Sequence, residues 1–130
     1  MRRFEGRSVL VSGAGSGIGR ATARRFGAEG GRVVCADLNL AGAEETAAAI
    51  REAGGAALAA ACNVADPAEV ERTVAFAVEQ HGGLHVLANV AGVGGFRRTT
   101  EVSFDEWNRM IAVNLTGTFL MCQKSLPHLL

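Results

Sequence analysis

Apolar and polar positions fall into blocks along this chain. Residues 8–12 (SVLVS) form a short apolar run closed by glycine, which predicts a buried strand. Residues 17–29 follow with Ile18, Thr22 and Phe26 at helical spacing and Arg24 and Arg25 on another face; Gly30 and Gly31 end that helix. The alternation then repeats. Residues 32–36 (RVVCA) predict a second strand, the alanine-rich residues 41–53 a second helix, and Gly54 and Gly55 its end. Residues 56–62 (AALAAAC) favour helix by propensity, but their place between two helices and their glycine punctuation predict a third strand. Asp66, Pro67 and Glu69 form a helix start that runs to about Gln80, before Gly82 and Gly83. Residues 84–89 (LHVLAN) predict strand four, and residues 90–102 a Gly/Thr-rich loop. Ser103, with Glu106 three positions on, starts a last long helix that continues past Asn114.

Strands without a polar second face, separated by helices, predict a parallel sheet covered on both sides. With right-handed crossovers, the fold class is α/β, a doubly wound parallel sheet. A length of 130 residues suits one domain, residues 1–130.

Composition narrows the classes. Apolar residues make up 48% and charged residues 20%, the balance of a soluble globular protein. Thirteen basic and thirteen acidic residues form no basic stripe, so no nucleic-acid partner is expected. Cys35, Cys62 and Cys122 are widely spaced, and with His81, His85 and His128 they form no metal-ligand spacing. They read as buried, reduced thiols, which places the protein in the cytoplasm. The apolar run after MRRFEGRS is too short for a secretion signal, and nothing reaches membrane-spanning length.

The chemistry begins at SGAGSGIG. Glycines between a strand and a helix let an anion approach the helix start, where N–H groups and the helix dipole attract it. Gly13 and Gly15 would need a third glycine at position 18 for the G-x-G-x-x-G spacing, but Ile18 stands there. Gly13, Gly17 and Gly19 fit G-x-x-x-G-x-G instead. Asp37, at the end of the second strand, is placed to accept hydrogen bonds from a ribose diol, or else to cap the following turn. Its carboxylate would repel a 2′-phosphate, and neither Ser16 nor Leu38 is basic, so the expected cofactor is NAD rather than NADP.

These residues resemble the N-terminal half of a short-chain dehydrogenase/reductase, a Rossmann-type cofactor-binding half ending after about four β-α units. SGAGSGIG is similar to the family's T-G-x-x-x-G-x-G turn, with Ser12 for Thr. CNVAD resembles its C-D-V-x-D segment, with Asn63 in place of the acidic residue that meets the adenine. ANVAG resembles N-N-A-G, keeping Asn89, Ala91 and Gly92, with Val90 departing. FDEWNRMIAVNLTGTF resembles its fifth helix and carries the tetrad asparagine at Asn114. The resemblance implies cofactor contacts from Gly13, Ser16, Gly17, Ile18, Gly19, Asp37, Leu38, Asn63, Val64, Asn89, Ala91, Gly92 and Val113, and a catalytic role for Asn114. Read without the resemblance, Asn63 is equally a turn residue, Asn89 a strand tie and Asn114 a satisfied interior amide.

The implied reaction moves a hydride between NAD(H) and a small alcohol or carbonyl substrate. A tyrosine, a lysine four residues later and a serine manage the proton and the substrate oxygen. The 130 residues contain no tyrosine, and Leu120 stands four positions before Lys124. The expectation is therefore a cofactor-binding half without turnover of its own, or alternatively a non-catalytic NAD-binding module, a truncated pseudoenzyme or an interaction protein. Strand four is expected to be an open edge, and the chain to be marginally stable or to self-associate, as a homo-oligomer through the last helix.

Overall fold

A computed structural model describes residues 1–130. Strands β1 (Ser8–Ser12), β2 (Arg32–Asp37), β3 (Ala56–Ala61) and β4 (Val86–Asn89) are parallel, in the order β3-β2-β1-β4. Helix α1 (Gly17–Ala28) joins β1 to β2, α2 (Leu40–Glu52) joins β2 to β3, and α3 (Pro67–His81) joins β3 to β4. Beyond β4 come a single 3₁₀ turn (Thr99–Glu101), α4 (Phe104–Met110), a π-helical turn (Ile111–Thr116) and α5 (Gly117–Leu129).

Both sheet faces are covered, as the apolar strands predict. Alternate residues of one strand serve different cores. Val9, Val11, Val33 and Cys35 pack on Ala23, Ala43, Ala47 and Ile50 of α1 and α2. Leu10, Val34 and Ala36 pack on Val70, Val74 and Ala77 of α3 and on Leu120 and Met121 of α5. This is the doubly wound, Rossmann-like arrangement. Alanine-rich β3 is a strand because it pairs with β2 along its whole length, from Arg32↔Ala56 to Asp37↔Ala61. Ladder bonds here outweigh alanine's helical preference.

Helix starts follow the capping residues. Asp66 accepts from the N–H groups of Ala68 (2.9 Å) and Glu69 (3.4 Å), with Pro67 in the first turn. Ser103 Oγ accepts from Glu106 N–H at 3.1 Å. Asn39 Oδ1 does the same for Gly42 at the start of α2.

Element ends otherwise shift by no more than about one residue from the sequence expectation, and two differences are larger. Strand β4 begins at Val86 rather than Leu84, because His85 replaces a ladder contact with its side chain. Its Nδ1 accepts from Ser8 N–H at 2.9 Å, while its own N–H donates to Ser8 C=O at 3.0 Å. The last helix is also not uniform: the π turn widens it around Asn114. On β4 only the side facing β1 is paired; its other side is the open edge of the sheet.

Glu29, at the end of α1, is buried and clasped from two sides. Arg3 donates two hydrogen bonds to it (2.6 and 2.8 Å) and Arg25 one (2.7 Å). The Arg3 hydrogen bonds chiefly hold its carboxyl pKa down to about 2, overcoming the opposing effect of desolvation. Below the sheet, buried His81 shares a 3.3 Å hydrogen bond with Ser8 Oγ, and burial, helped by the Arg32 charge, lowers its pKa. Burial pushes the Cys35 thiol up to about 12 and raises Cys62 as well; all three cysteines are free. Cys122 is half-buried rather than buried.

Candidate functional site

A cleft of about 560 Å³ opens where the segments following β1, β2, β3 and β4 meet. Strand β1 has β2 on one side and β4 on the other, so the chain's winding direction reverses beside it. Such a switch point leaves a crevice at the carboxyl ends of the strands.

The glycine turn forms one wall. Gly13 adopts φ +69°, and a Cβ there would lie 2.7 Å from the Ala91 backbone. This glycine therefore allows the segment after β4 to close against the turn. Ser12 locks the same contact, its buried Oγ accepting from Val90 N–H (3.1 Å) and Ala91 N–H (3.2 Å). A Cβ on Gly19 would be driven into the Gly13 carbonyl, so that glycine sets the close approach of helix to turn. Gly17 is different: it adopts φ +51° and faces open space.

The start of α1 has no internal anion. Ser16 is extended and makes no capping hydrogen bond, and no acidic side chain lies in the first turn. The first-turn N–H groups are thus left without a side-chain acceptor beside the cleft. Facing them, the Asp37 carboxylate is fixed by two backbone donors, Gly15 N–H to Oδ2 at 2.8 Å and Asn39 N–H to Oδ1 at 2.9 Å. An open helix start with a fixed carboxylate beside it is a geometry that an adenine dinucleotide could fill. Gly15, which the motif spacing leaves without a role, is the residue that holds Asp37; a Cβ there would lie 2.8 Å from that carboxylate.

Most of the sequence-derived positions converge here. Gly13, Ser16, Gly17, Ile18, Gly19, Asp37, Leu38, Asn63, Val64, Ala91, Gly92 and Val113 all line the cleft. Asn63 also makes a local turn, its Oδ1 accepting from Ala65 N–H at 3.0 Å. Asn89 and Asn114 do not line it. Asn89 Nδ2 donates to Cys122 Sγ at 3.4 Å, tying β4 to α5. Asn114 Oδ1 accepts from Val93 N–H and its Nδ2 donates to Val93 C=O, both at 2.8 Å, so it braces the loop that walls the cleft. Cys62, Ala65, Val90, Val93, Arg109 and Ala112 line the cleft as well. Most flank a motif residue. Arg109, four positions before Val113, could have been found from helical spacing.

Comparison with known proteins agrees with this architecture. Residues 7–130 match the family described as short chain dehydrogenase. The 2,5-dichloro-2,5-cyclohexadiene-1,4-diol dehydrogenase LinX of Sphingobium indicum is 44% identical over 130 residues, covering 98% of this chain and 51% of that protein. The D-threitol dehydrogenase of Mycolicibacterium smegmatis is 41% identical over 121 residues, covering 93% of this chain and 46% of its own. A crystal structure of a short chain dehydrogenase from Mycobacterium avium superposes with a TM-score of 0.93 at 39% identity, over 98% of this chain and 47% of that one. The chain spans about half the length of the curated relatives it matches. A switch-point cleft with an uncapped helix start, together with a family match over nearly every residue, makes this chain a member of the short-chain dehydrogenases, oxidoreductases that work with a nicotinamide cofactor.

Proposed function

We propose that these residues form the NAD-binding part of an oxidoreductase acting on a small alcohol or carbonyl substrate. The observation that carries this reading is the pairing of an uncapped α1 start with the Asp37 carboxylate, held 2.8 Å from Gly15 N–H. Gly13, Ser16, Gly17, Ile18 and Gly19 seat the pyrophosphate through backbone N–H groups and the helix dipole. Asp37 accepts from the adenosine ribose hydroxyls and repels a 2′-phosphate, favouring NAD over NADP. Leu38, Asn63 and Val64 border the adenine, while Ala91, Gly92 and Val113 close the cleft towards β4. Asn89 serves from behind, holding β4 to α5, and Asn114 is the catalytic-tetrad asparagine that fixes Val93 beside the reacting end. When bound, the nicotinamide supplies or accepts the hydride.

The second reading, binding without turnover, is favoured for these 130 residues by themselves because they contain no tyrosine to move a proton. A homo-oligomer formed through the last helix accompanies either reading. It is supported by an exposed apolar stripe of Phe104, Trp107, Leu115 and Phe119. No helix is long and apolar enough to cross a membrane; the proposed location, the cytoplasm, rests on the cysteines, all three of which are free.

Titration calorimetry with NAD, NADP and ADP-ribose tests the binding site. NAD and ADP-ribose are expected to bind, and NADP at least about tenfold more weakly, because a carboxylate and a phosphate repel at short range. Equal affinity for NAD and NADP would remove the role given to Asp37, and no binding of any of the three would remove the site.

A further inference from the structure

Behind the cleft, two side chains that do not line it hold the glycine turn, whose Gly15 N–H in turn holds Asp37. Arg20, on α1, donates through Nη2 to Gly15 C=O at 2.6 Å and to Glu45 at 3.1 Å, and through Nε to Thr46 Oγ1 at 3.0 Å. Thr46, on α2, is fully buried, and its hydroxyl donates to Ala14 C=O at 2.7 Å. The carbonyls of both residues between Gly13 and Ser16 are thereby pinned. The Ala14–Gly15 peptide is held at both ends, its C=O by Thr46 and its N–H by Asp37 Oδ2, and Arg20 holds the next carbonyl, that of Gly15. The other carboxylate oxygen accepts from Asn39 N–H, and Asn39 caps α2 through Gly42 N–H at 3.2 Å. Arg20, Gly15, Asp37, Asn39 and Thr46 thus close a ring through α2. There is no slack in it, since a Cβ on Gly42 would lie 2.7 Å from Gly15 C=O.

We propose that Arg20 and Thr46 are positioning residues that set the choice between NAD and NADP from behind the cleft, by fixing the peptides on either side of Gly15 and, through the Gly15 N–H, the orientation of the Asp37 carboxylate. This rests on the reading of Asp37 as the ribose acceptor. A fixed carboxylate meets a diol without loss of side-chain freedom and cannot swing away from a 2′-phosphate. With the ring broken, the Gly15 N–H is free to move off Oδ2, and the carboxylate is held firmly at Oδ1 alone. NAD then loses a preorganised acceptor, and NADP loses an obstacle.

The test compares NAD and NADP affinities, together with melting temperature, in the parent chain and in Thr46→Val, Thr46→Ser, Arg20→Gln and Asp37→Ala. Thr46→Val and Arg20→Gln are expected to narrow the NAD/NADP affinity ratio about tenfold, as the loss of a charge-assisted hydrogen bond implies, with Thr46→Ser restoring it. A purely structural role would lower the melting temperature and leave the ratio unchanged, which overturns the proposal. If Asp37→Ala leaves the ratio unchanged, the reading of Asp37 fails, and this inference fails with it. If only Asp37→Ala changes the ratio, the inference alone fails. Amide exchange in the parent chain without cofactor serves where a variant does not fold. Protection of Gly15 N–H is expected, and free exchange at that amide overturns the proposal.

Discussion

At the residue scale, the buried carboxylate of Glu29 and the buried imidazole of His81 make stability depend on pH in the same direction. Glu29 takes its proton near 4.5 when free of its partners and near 2 in the fold. Its clasp contributes fully above about pH 4.5, and that contribution is lost as pH falls towards 2. His81 is held neutral below its usual 6.5, because the folded chain resists charging a buried ring beside Arg32. Acid therefore removes stability first below about pH 6.5, as unfolded chains take up the proton, and again below about 4.5. Urea denaturation midpoints measured across this range are expected to fall in two steps. Glu29→Gln should flatten the lower step and leave the upper one; a lower step of unchanged size would show that the clasp is not its source. The glycines, too, have distinct functions at this scale. Gly13 and Gly19 permit close backbone approach, whereas Gly17 supplies an unusual conformation in open space.

At the element scale, helix starts are fixed by single side chains, and the cleft depends on where helices start. Asp66 satisfies two N–H groups at the start of α3, the helix that covers one face of the sheet. Asp66→Ala is expected to cost about 1 kcal/mol, read as a lower urea midpoint with an unchanged slope. A variant as stable as the parent would mean that Pro67 and solvent suffice at that end. The contrast with α1 is informative: its start has no side-chain cap and no first-turn acid, although Ser16 stands at the capping position. A helix start left open beside a cleft is suited to a ligand rather than to its own stability. The π turn between α4 and α5 is a second such departure. It carries Asn114 at the loop, where both halves of its amide engage Val93.

At the scale of the whole molecule, the two sheet faces are covered but the β4 side is not. Helix α5 packs against β4, and along α4, the π-helical turn and α5 the side chains of Phe104, Leu115 and Phe119 are 76%, 64% and 57% exposed. Several large apolar side chains exposed along one stretch of helix favour pairing with a second copy. Sedimentation across a range of concentrations is expected to show reversible self-association of the chain, weakened by Leu115→Glu together with Phe119→Glu. A monomer at all concentrations would remove the proposed oligomer.

The sequence by itself determined the order of strands and helices, the caps at Asp66 and Ser103, the glycine turn and the position of Asp37. Each is written in local spacing, in periodicity and in residues with strong conformational demands, so neighbours in sequence are enough to read them. Tertiary structure alone decided what lies far apart along the chain. It brought Asn114 to Val93, turned Asn89 towards Cys122, shortened β4 through His85 and Ser8, and gave Gly15 its carboxylate. It also assembled Arg20, Thr46 and the glycine turn, residues whose types are ordinary on helix surfaces and whose partners lie on other elements. Hydrogen bonds between elements depend on how helices pack on the sheet, and local pattern carries no record of that packing.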